Sequence, residues 1–265
     1  MFYFFIICIA VFVIIFIRKM RGFASHTEGV RILMYHKFSR GETDFLTVSS
    51  HQFEEHLNEI QCNDYQFITP KELIDFYCKN TPLPPRPVLL TFDDAYINQL
   101  EIAYPILKKY KAKATVFVPT AYVGKGSNWD KKPSPIMSLE QLKNLDPSVF
   151  SLALHTHTHP SFKNMSLAEI ETDMAACLDY FTTNCLPFTS VLAYPYGARP
   201  KNAVVLRGMK NYLHQRGIAL AFRIGNRINP LKVNDLYELN RIDIRGTDSF
   251  EGFKKKLNFG KITLF

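Results

Sequence analysis

The sequence predicts an α/β protein, specifically a distorted or incomplete β/α barrel of mainly parallel strands. Apolar runs rich in Val, Leu, Ile and Phe alternate along the chain with segments of helical periodicity, which is typical of a parallel sheet covered by helices. The runs are continuous, so each strand is expected to be buried on both faces. The chain has 265 residues, a length at which such barrels commonly form one domain.

The composition fits a single well-packed catalytic domain. Hydrophobic residues make up 47% of the chain and charged residues 21%, so we expect a large core and little disorder. The formal net charge is +8, but the Lys and Arg residues are scattered and no recognition motif accompanies them. This argues against nucleic acid as a partner. An anionic lipid surface or an acidic glycan would account for the charge more simply.

Residues 1–21 are predicted to form a membrane anchor or a signal segment. Residues 2–17 are an unbroken apolar run, and a basic cluster follows at 18–21. A helix of this length would span roughly 24 Å, enough for a bilayer with local thinning. We therefore expect a single-pass membrane protein, and the positive-inside rule places its catalytic domain in the cytoplasm. A linker at 22–29 and the catalytic domain at 30–265 follow.

Eight apolar runs are predicted to be strands, because they combine β-branched and aromatic residues with flanking turn residues. A Pro-rich stretch is expected to form a surface loop that leads into the third strand. In chain order the predicted strands cover residues 30–35, 66–69, 88–92, 114–119, 150–155, 190–194, 218–224 and 239–244.

The segments between the strands carry start signals of helices. Residues 166–169 read Ser-Leu-Ala-Glu and match a capping box, and apolar residues then recur on one helical face as far as Phe181. A second helix is predicted after Ser50. Pro105 suits the first turn of a third helix that ends near Tyr110.

The first polar motif ends the third strand. The run Leu-Thr-Phe-Asp-Asp closes on Asp93 and Asp94. Neighbours on a strand point to opposite faces, so the two carboxylates can serve one site only if the chain turns there. In that case one Asp can bind a metal ion while the other acts as a base. The alternative is that one Asp caps the next helix and the other is solvated.

The second motif, His-Thr-His-Thr-His-Pro at 155–160, ends the fifth strand. In an extended chain His155 and His159 would lie about 13 Å apart, too far to share an ion, so this segment must curl into a turn. His157 could then face away or substitute for one of them. One Asp and two His with an open position suit a hydrolytic zinc ion. A surface histidine cluster is the alternative.

Three further positions complete the candidate site. Pro195 fixes one backbone angle beside Tyr196 and Gly197 frees another, so the Tyr196 amide could be presented rigidly to a developing oxyanion. His36 ends the first strand, where a lone histidine means little unless other strand ends converge on it. Trp129, the only tryptophan, could stack on a sugar ring or merely cover the barrel rim.

Taken in this order, the motifs Leu-Thr-Phe-Asp-Asp, His-Thr-x-x-His-Pro and Tyr-Pro-Tyr-Gly resemble those of the polysaccharide deacetylase family, carbohydrate esterase family 4. The chain is similar to the branch that deacetylates poly-N-acetylglucosamine, whose members open with a Met-Tyr-His strand. The resemblance extends from about Arg31 to near Lys256. It implies a metal-dependent hydrolase that removes N-acetyl groups from a glycan and releases acetate, and it favours an exported enzyme.

The resemblance also implies a role for each residue. Asp93 would be the general base and His36 the general acid, and the amide of Tyr196 would help to hold the oxyanion. The metal ligands would be Asp94, His155 and His159.

The chain departs from the wider family at two positions. Leu-Asn-Arg at 239–241 stands where other branches carry the Leu-x-His that supplies the acid. Ala193 stands where many members place an Arg that orients the base. We expect Arg241 to compensate for this second change from its own strand.

The expected cofactor is one divalent ion, zinc in the first place, although two His and one carboxylate also suit Co, Ni or Mn. The expected partner is an N-acetylated glycan substrate. Two alternative functions stay open. One is a membrane-tethered glycan-binding protein without turnover, and the other is a hydrolase that acts on an O-acetyl ester.

Overall fold

The computed structural model describes residues 28–261 of the chain. The strands in this range are β1 (Arg31–Tyr35), β2 (Lys37–Ser39), β3 (Thr47–Ser49), β4 (Gln66–Phe67), β5 (Pro87–Phe92), β6 (Ala114–Val118), β7 (Phe150–Leu154), β8 (Val191–Ala193), β9 (Leu220–Ile224) and β10 (Leu239–Asp243). The α-helices are α1 (Ser50–Cys62), α2 (Pro70–Lys79), α3 (Tyr104–Lys109), α4 (Leu139–Lys143), α5 (Leu167–Thr183), α6 (Ala203–Gln215) and α7 (Phe250–Phe259).

Within residues 28–261, seven strands close into a barrel in which every pairing is parallel. β1 pairs with β5 on one side and with β10 on the other, and the ring runs from β10 through β9, β8, β7 and β6 to β5. β4 pairs with the first residues of β5. The predicted distorted barrel of parallel strands is thus confirmed. Its strands all end at the same mouth of the barrel.

The two faces of each strand enter different apolar clusters. Ile32 packs inside the ring in the same cluster as Phe117 and Phe222, whereas Leu33 and Tyr35 belong to the larger cluster that includes the helices. All five residues of β1 are buried. This two-sided burial explains why the strands are continuous apolar runs in the sequence.

Each of the eight predicted runs contains a strand of the main sheet. The prediction missed β2 and β3, which pair in parallel as a separate two-stranded sheet. Both have only three residues and include polar side chains, so neither produces an apolar run. This small sheet lies directly after His36 and precedes α1.

The structure also has helices where the sequence predicted them. Ser166 caps α5 in a complete capping box, and Ser49 does the same for α1. Pro105 lies in the first turn of α3, which ends at Lys109. A π-helical turn, Gln99–Ala103, precedes α3, and π-turns of this kind often occur at functional sites.

The membrane prediction requires correction. The apolar run at 2–17 lies outside the described residues, as does all but the end of the linker at 22–29. Among residues 28–261, no helix combines the length and the apolar character needed to cross a bilayer. The expected single-pass membrane location, with a transmembrane helix as membrane partner, is therefore wrong on this finding.

Candidate active site

The candidate residues gather at the carboxyl end of the barrel. In a parallel barrel, polar residues that follow different strands meet at this end. His36 follows β1, Asp93 and Asp94 follow β5, His155 follows β7, Tyr196 follows β8, and Arg241 lies on β10.

Asp94, His155 and His159 form a compact buried cluster. Asp94 Oδ1 lies 3.4 Å from His155 Nε2 and 3.2 Å from His159 Nε2, and one ligand atom of each residue lies within 4.8 Å of the others. Asp94 Oδ1 is buried and accepts no hydrogen bond from the described residues. A buried oxygen in this state fits an atom that a cation satisfies. Two imidazole nitrogens and one carboxylate oxygen suit Zn, Co, Ni or Mn.

The chain turns sharply at the two aspartates. Asp94 has a φ of 71° and Ala95 a φ of 52°, a left-handed conformation that is uncommon for residues other than glycine. This turn resolves the difficulty that neighbours on a strand point to opposite faces. Asp93 and Asp94 consequently reach the same pocket, as the functional interpretation of the motif requires.

The histidine segment curls because its own backbone and α5 hold it. Thr156 and His159 both have positive φ, and the amide of His159 donates to Thr156 Oγ1 at 3.1 Å. Asp173 on α5 accepts from the amides of His157 and Thr158 at 2.7 and 2.9 Å, and from the Thr158 hydroxyl at 2.5 Å. These contacts bring His155 and His159 together.

The Nδ1 atoms of two histidines show which way each ring faces. His155 Nδ1 lies 2.8 Å from the carbonyl oxygen of Ala193, so its N–H donates there and Nε2 is left to face Asp94. His157 Nδ1 lies 2.8 Å from Thr120 Oγ1. Of the two alternatives for His157, the structure therefore favours the one in which it faces away.

Asp93 lies beside the cluster in contact with Arg241. Arg241 donates from Nη1 to Oδ1 at 2.5 Å and from Nη2 to Oδ2 at 2.8 Å, and both side chains are buried. Burial alone would raise the pKa of Asp93. The charges of Arg241, His155 and His36 outweigh it and hold the pKa below its ordinary value. The carboxylate is thus ionised at neutral pH.

His36 also lies near Asp93, with its Nε2 atom 3.9 Å from Asp93 Oδ2. Gln99, a fully buried residue of the π-helical turn, connects the two backbones. Its amide donates to the carbonyl oxygens of His36 and Asp93 at 2.8 and 2.7 Å. The prediction missed Gln99, since a single Gln within an apolar helical pattern carries no signal of this contact.

The chain turns at Tyr196 and Gly197 with both residues in the left-handed conformation. Tyr196 has a φ of 58° and Gly197 a φ of 62°. A Cβ atom at Gly197 would lie 2.6 Å from the backbone nitrogen of Ile224, so only glycine fits. The Tyr196 ring is 56% exposed, and its centroid lies 4.9 Å from that of His159. The oxyanion role of its amide stays a prediction.

Trp129 reaches the site from the loop between β6 and α4, residues 122–135. Its ring stacks on His159 with the centroids 4.0 Å apart and the planes at 24°. Tyr122 contacts the indole edge-on at 4.7 Å. Trp129 is partly buried, so the predicted contact with a sugar ring stays open as a prediction.

The prediction also missed Asp173, although a signal was present. Asp173 lies on the α5 face marked by Ile170, Met174 and Cys177. A charged residue at a position whose spacing predicts burial requires a partner in the core. The sequence alone did not identify that partner.

The barrel and its Asp-His-His cluster are typical of one class of protein, hydrolases that bind one metal ion at the carboxyl end of a distorted β/α barrel. Residues 80–214 match the family model described as polysaccharide deacetylase. The poly-beta-1,6-N-acetyl-D-glucosamine N-deacetylase of Staphylococcus aureus is 31% identical over 234 residues, which are 84% of this chain and 76% of that protein. The chain belongs to the polysaccharide deacetylase family.

Other relatives agree with this assignment. The polysaccharide deacetylase homologue YxkH of Bacillus subtilis is 30% identical over 187 residues, 71% of this chain and 63% of that protein, so the chain spans less than two thirds of this relative. The deacetylase PplD of Streptococcus pyogenes, solved in complex with acetate, superposes with a TM-score of 0.73 at 28% identity and covers 87% of this chain and 98% of its own. IcaB from Ammonifex degensii has the same TM-score at 23% identity, with 89% and 98% covered, a likeness of fold.

Proposed function

We propose that this chain is a metal-dependent N-deacetylase that removes acetyl groups from the amino sugars of a poly-N-acetylglucosamine-type glycan and releases acetate. Its family and its similarity to the Staphylococcus aureus deacetylase support this reaction. One observation carries the proposal. The buried Asp94, His155 and His159 cluster lies next to a second, ionised carboxylate, with Asp93 Oδ2 at 3.9 Å from His155 Nε2.

Asp94, His155 and His159 would hold the ion, which we take to be zinc. A divalent ion at such a site lowers the pKa of a bound water and polarises the carbonyl group of the substrate. Three protein ligands leave a coordination position open for that water. The His155 ring is well placed for this role, because its Nδ1–H is already used by the carbonyl oxygen of Ala193.

Asp93 would remove a proton from the attacking water. A general base must be unprotonated at the working pH, and Arg241 maintains that state by holding the pKa of Asp93 low. The two hydrogen bonds from Arg241 also fix the plane of the carboxylate. The fixed carboxylate can then meet the water without first reorganising.

His36 would protonate the departing nitrogen, because an unprotonated amide nitrogen is a very poor leaving group. Its imidazole Nε2 atom lies 3.9 Å from Asp93 Oδ2. The backbone amide of Tyr196 would donate to the oxygen that becomes negatively charged after attack. The C–N bond of the acetamide breaks, and acetate and a free amino sugar are the products.

The test is acetate release from β-1,6-linked N-acetylglucosamine oligomers by the purified, zinc-loaded full chain. We expect release by the native protein and none by Asp93→Asn, which should retain its zinc. Asp179→Asn, on the exposed face of α5, serves as the matched control and should behave as native. Folded, zinc-loaded protein that releases no acetate would contradict the proposal.

Two companion assays separate the alternative functions. Acetate release from an O-acetylated sugar but not from the N-acetylated oligomers would identify an esterase. Measurable oligomer binding without release from either substrate would identify a glycan-binding protein that keeps the fold without turnover.

A further inference from the structure

The two proposed histidine ligands differ in how their rings are oriented. A histidine that binds a metal usually donates its second N–H to a carbonyl or carboxylate group, which fixes the ring. His155 follows this rule through its contact with Ala193. His159 does not, because its Nδ1 atom is buried and has no hydrogen-bond partner among residues 28–261. Some other contact must set the orientation of the His159 ring.

The stacked indole of Trp129 supplies that contact. With the centroids 4.0 Å apart and the planes at 24°, rotation of the imidazole about χ2 would drive it into the indole. The stack therefore opposes the motion that would turn His159 Nε2 away from Asp94. Tyr122, edge-on to the indole at 4.7 Å, limits the movement of Trp129 in turn.

Asp130, the next residue, fixes the loop that carries Trp129. Its Oδ2 atom lies 2.7 Å from Lys37 Nζ, 2.7 Å from the Tyr96 hydroxyl and 2.6 Å from Ser127 Oγ. The side chains of Asp130 and Lys37 are only 10% and 12% exposed. A shielded ion pair with two further donors is expected to hold the loop far more firmly than a surface pair.

The partners of Asp130 belong to the strand ends that form the site. Lys37 follows the proposed acid His36, and Tyr96 follows the turn at Asp94. The loop is also attached by its far end, where the amide of Ile97 donates to the carbonyl oxygen of Pro135 at 3.0 Å. Asp130 is thus the point at which loop 122–135 is joined to both strand ends.

We propose that Trp129 and Asp130 are positioning residues of the metal site. Trp129 holds the His159 ring in the plane that coordination needs, and Asp130 holds Trp129 in place. This inference rests on the proposed function, specifically on Asp94, His155 and His159 as the metal ligands. It extends that function by assigning part of the metal affinity to a loop that binds no metal itself.

The first experiment measures zinc affinity of the metal-free full chain by competition with a chromophoric chelator. We expect Trp129→Ala and Asp130→Asn each to raise the Kd for zinc by roughly 10-fold, the lower end of the effect of residues that orient metal ligands. Trp129→Phe, which keeps a ring to stack on His159, should restore most of the affinity. Lys132→Met, an exposed change in the same loop, should leave it unchanged.

The second experiment tests the route from Asp130 to the metal. If Asp130 acts by holding Trp129, the double variant Trp129→Ala/Asp130→Asn should bind zinc no more weakly than Trp129→Ala alone. Once Trp129 is removed, Asp130 has no further effect on His159. Since Trp129 is the only tryptophan, its fluorescence should also change saturably when zinc is added to the native protein.

The outcomes distinguish this inference from the function on which it rests. Native protein that binds zinc tightly, with Trp129→Ala and Asp130→Asn binding it equally well, would overturn the inference and leave the proposed function intact. Additive losses of zinc affinity in the double variant would show that Asp130 does not act through Trp129. A native chain that binds no zinc and releases no acetate would overturn both.

Discussion

Arg241 on β10 holds Asp93 at the end of β5 by two hydrogen bonds of 2.5 and 2.8 Å, although β1 lies between these strands in the ring. The contact joins residues 148 positions apart in the chain. It is a bidentate pair, in which two N–H groups of one guanidinium bind the two oxygens of one carboxylate. Ala193 on β8 provides no such side chain, and Arg241 reaches Asp93 from its own strand; that it orients Asp93 as the base stays a prediction.

Arg241→Lys tests whether the bidentate contact with Asp93 is needed for acetate release. Lysine keeps the positive charge but cannot donate in the planar fork, so the plane of Asp93 is released. We expect kcat for acetate release to fall roughly 10²-fold, within the range of about 10²–10⁴ assigned to general-base catalysis. Zinc content, measured by elemental analysis, should stay at the native level. Native kcat in this variant would show that the charge of Arg241 suffices.

A pair of histidine variants from one segment tests the assignment of metal ligands. His155→Ala should lose zinc on dialysis, because one of the three proposed ligands is gone. His157→Ala removes an imidazole only two residues away, but this ring contacts Thr120 rather than the cluster. We therefore expect it to keep its zinc and most of its activity. Equal zinc loss in both variants would contradict the assignment.

Asp173→Asn tests the support of the histidine turn. The amide group cannot accept from all three donors that reach the carboxylate, so at least one of these partly buried donors loses its partner. We expect the free energy of unfolding of the metal-free protein to fall by about 1–3 kcal/mol. The Kd for zinc should rise roughly 10-fold. Urea unfolding and chelator competition measure the two effects, and Asp179→Asn on the same helix should change neither.

His56 on α1 should make stability depend on pH. Its ring stacks on Phe253 at a centroid distance of 3.8 Å, and its Nδ1 atom lies 3.2 Å from the Tyr35 hydroxyl. Burial, together with the charge of Lys256, lowers the pKa of His56 to about 3. In the unfolded chain the pKa would be about 6.5, so between these values the unfolded state binds the additional proton.

The free energy of unfolding should therefore decrease as pH falls below about 6.5, by up to about 1.4 kcal/mol per pH unit from this group. His56→Gln keeps an acceptor for the Tyr35 hydroxyl but does not titrate, so its stability should decline less steeply over the same range. His51→Gln, on the exposed start of the same helix, should keep the native slope. Parallel slopes for all three proteins in urea unfolding would contradict the prediction.

Most strands and the main site residues could be predicted because their signals are local. A strand buried on both faces must be continuously apolar, and β5 ends at Asp93 and Asp94 as its run indicates. Capping at Ser166 depends on residues three apart, which the sequence displays directly. The three-residue strands β2 and β3 produce no such signal. The membrane prediction rested on residues 2–17, which lie outside the described residues, and no helix of residues 28–261 supports it.

The contacts of Gln99, Asp130 and Asp173 could not be predicted, because each joins segments that are distant in the chain. Gln99 contacts the backbone of His36, and Asp130 contacts Lys37. Both contacts require the closed ring that places β1 beside β5. A shift of one residue in the register of β1 against β5 would turn the side chains of β1 to the other face and displace the residues that follow it.

The sequence by itself determined which strands form the main sheet, the approximate end of each, and which Asp, His and Tyr residues stand at those ends. Tertiary structure alone decided that the ends meet, that Arg241 reaches Asp93 past β1, and that Trp129 covers His159. The physical reason is the distance along the chain over which each kind of interaction acts. Strand and helix signals arise from neighbours along the chain, whereas a metal cluster depends on ångström-scale distances that only the closure and register of the barrel establish.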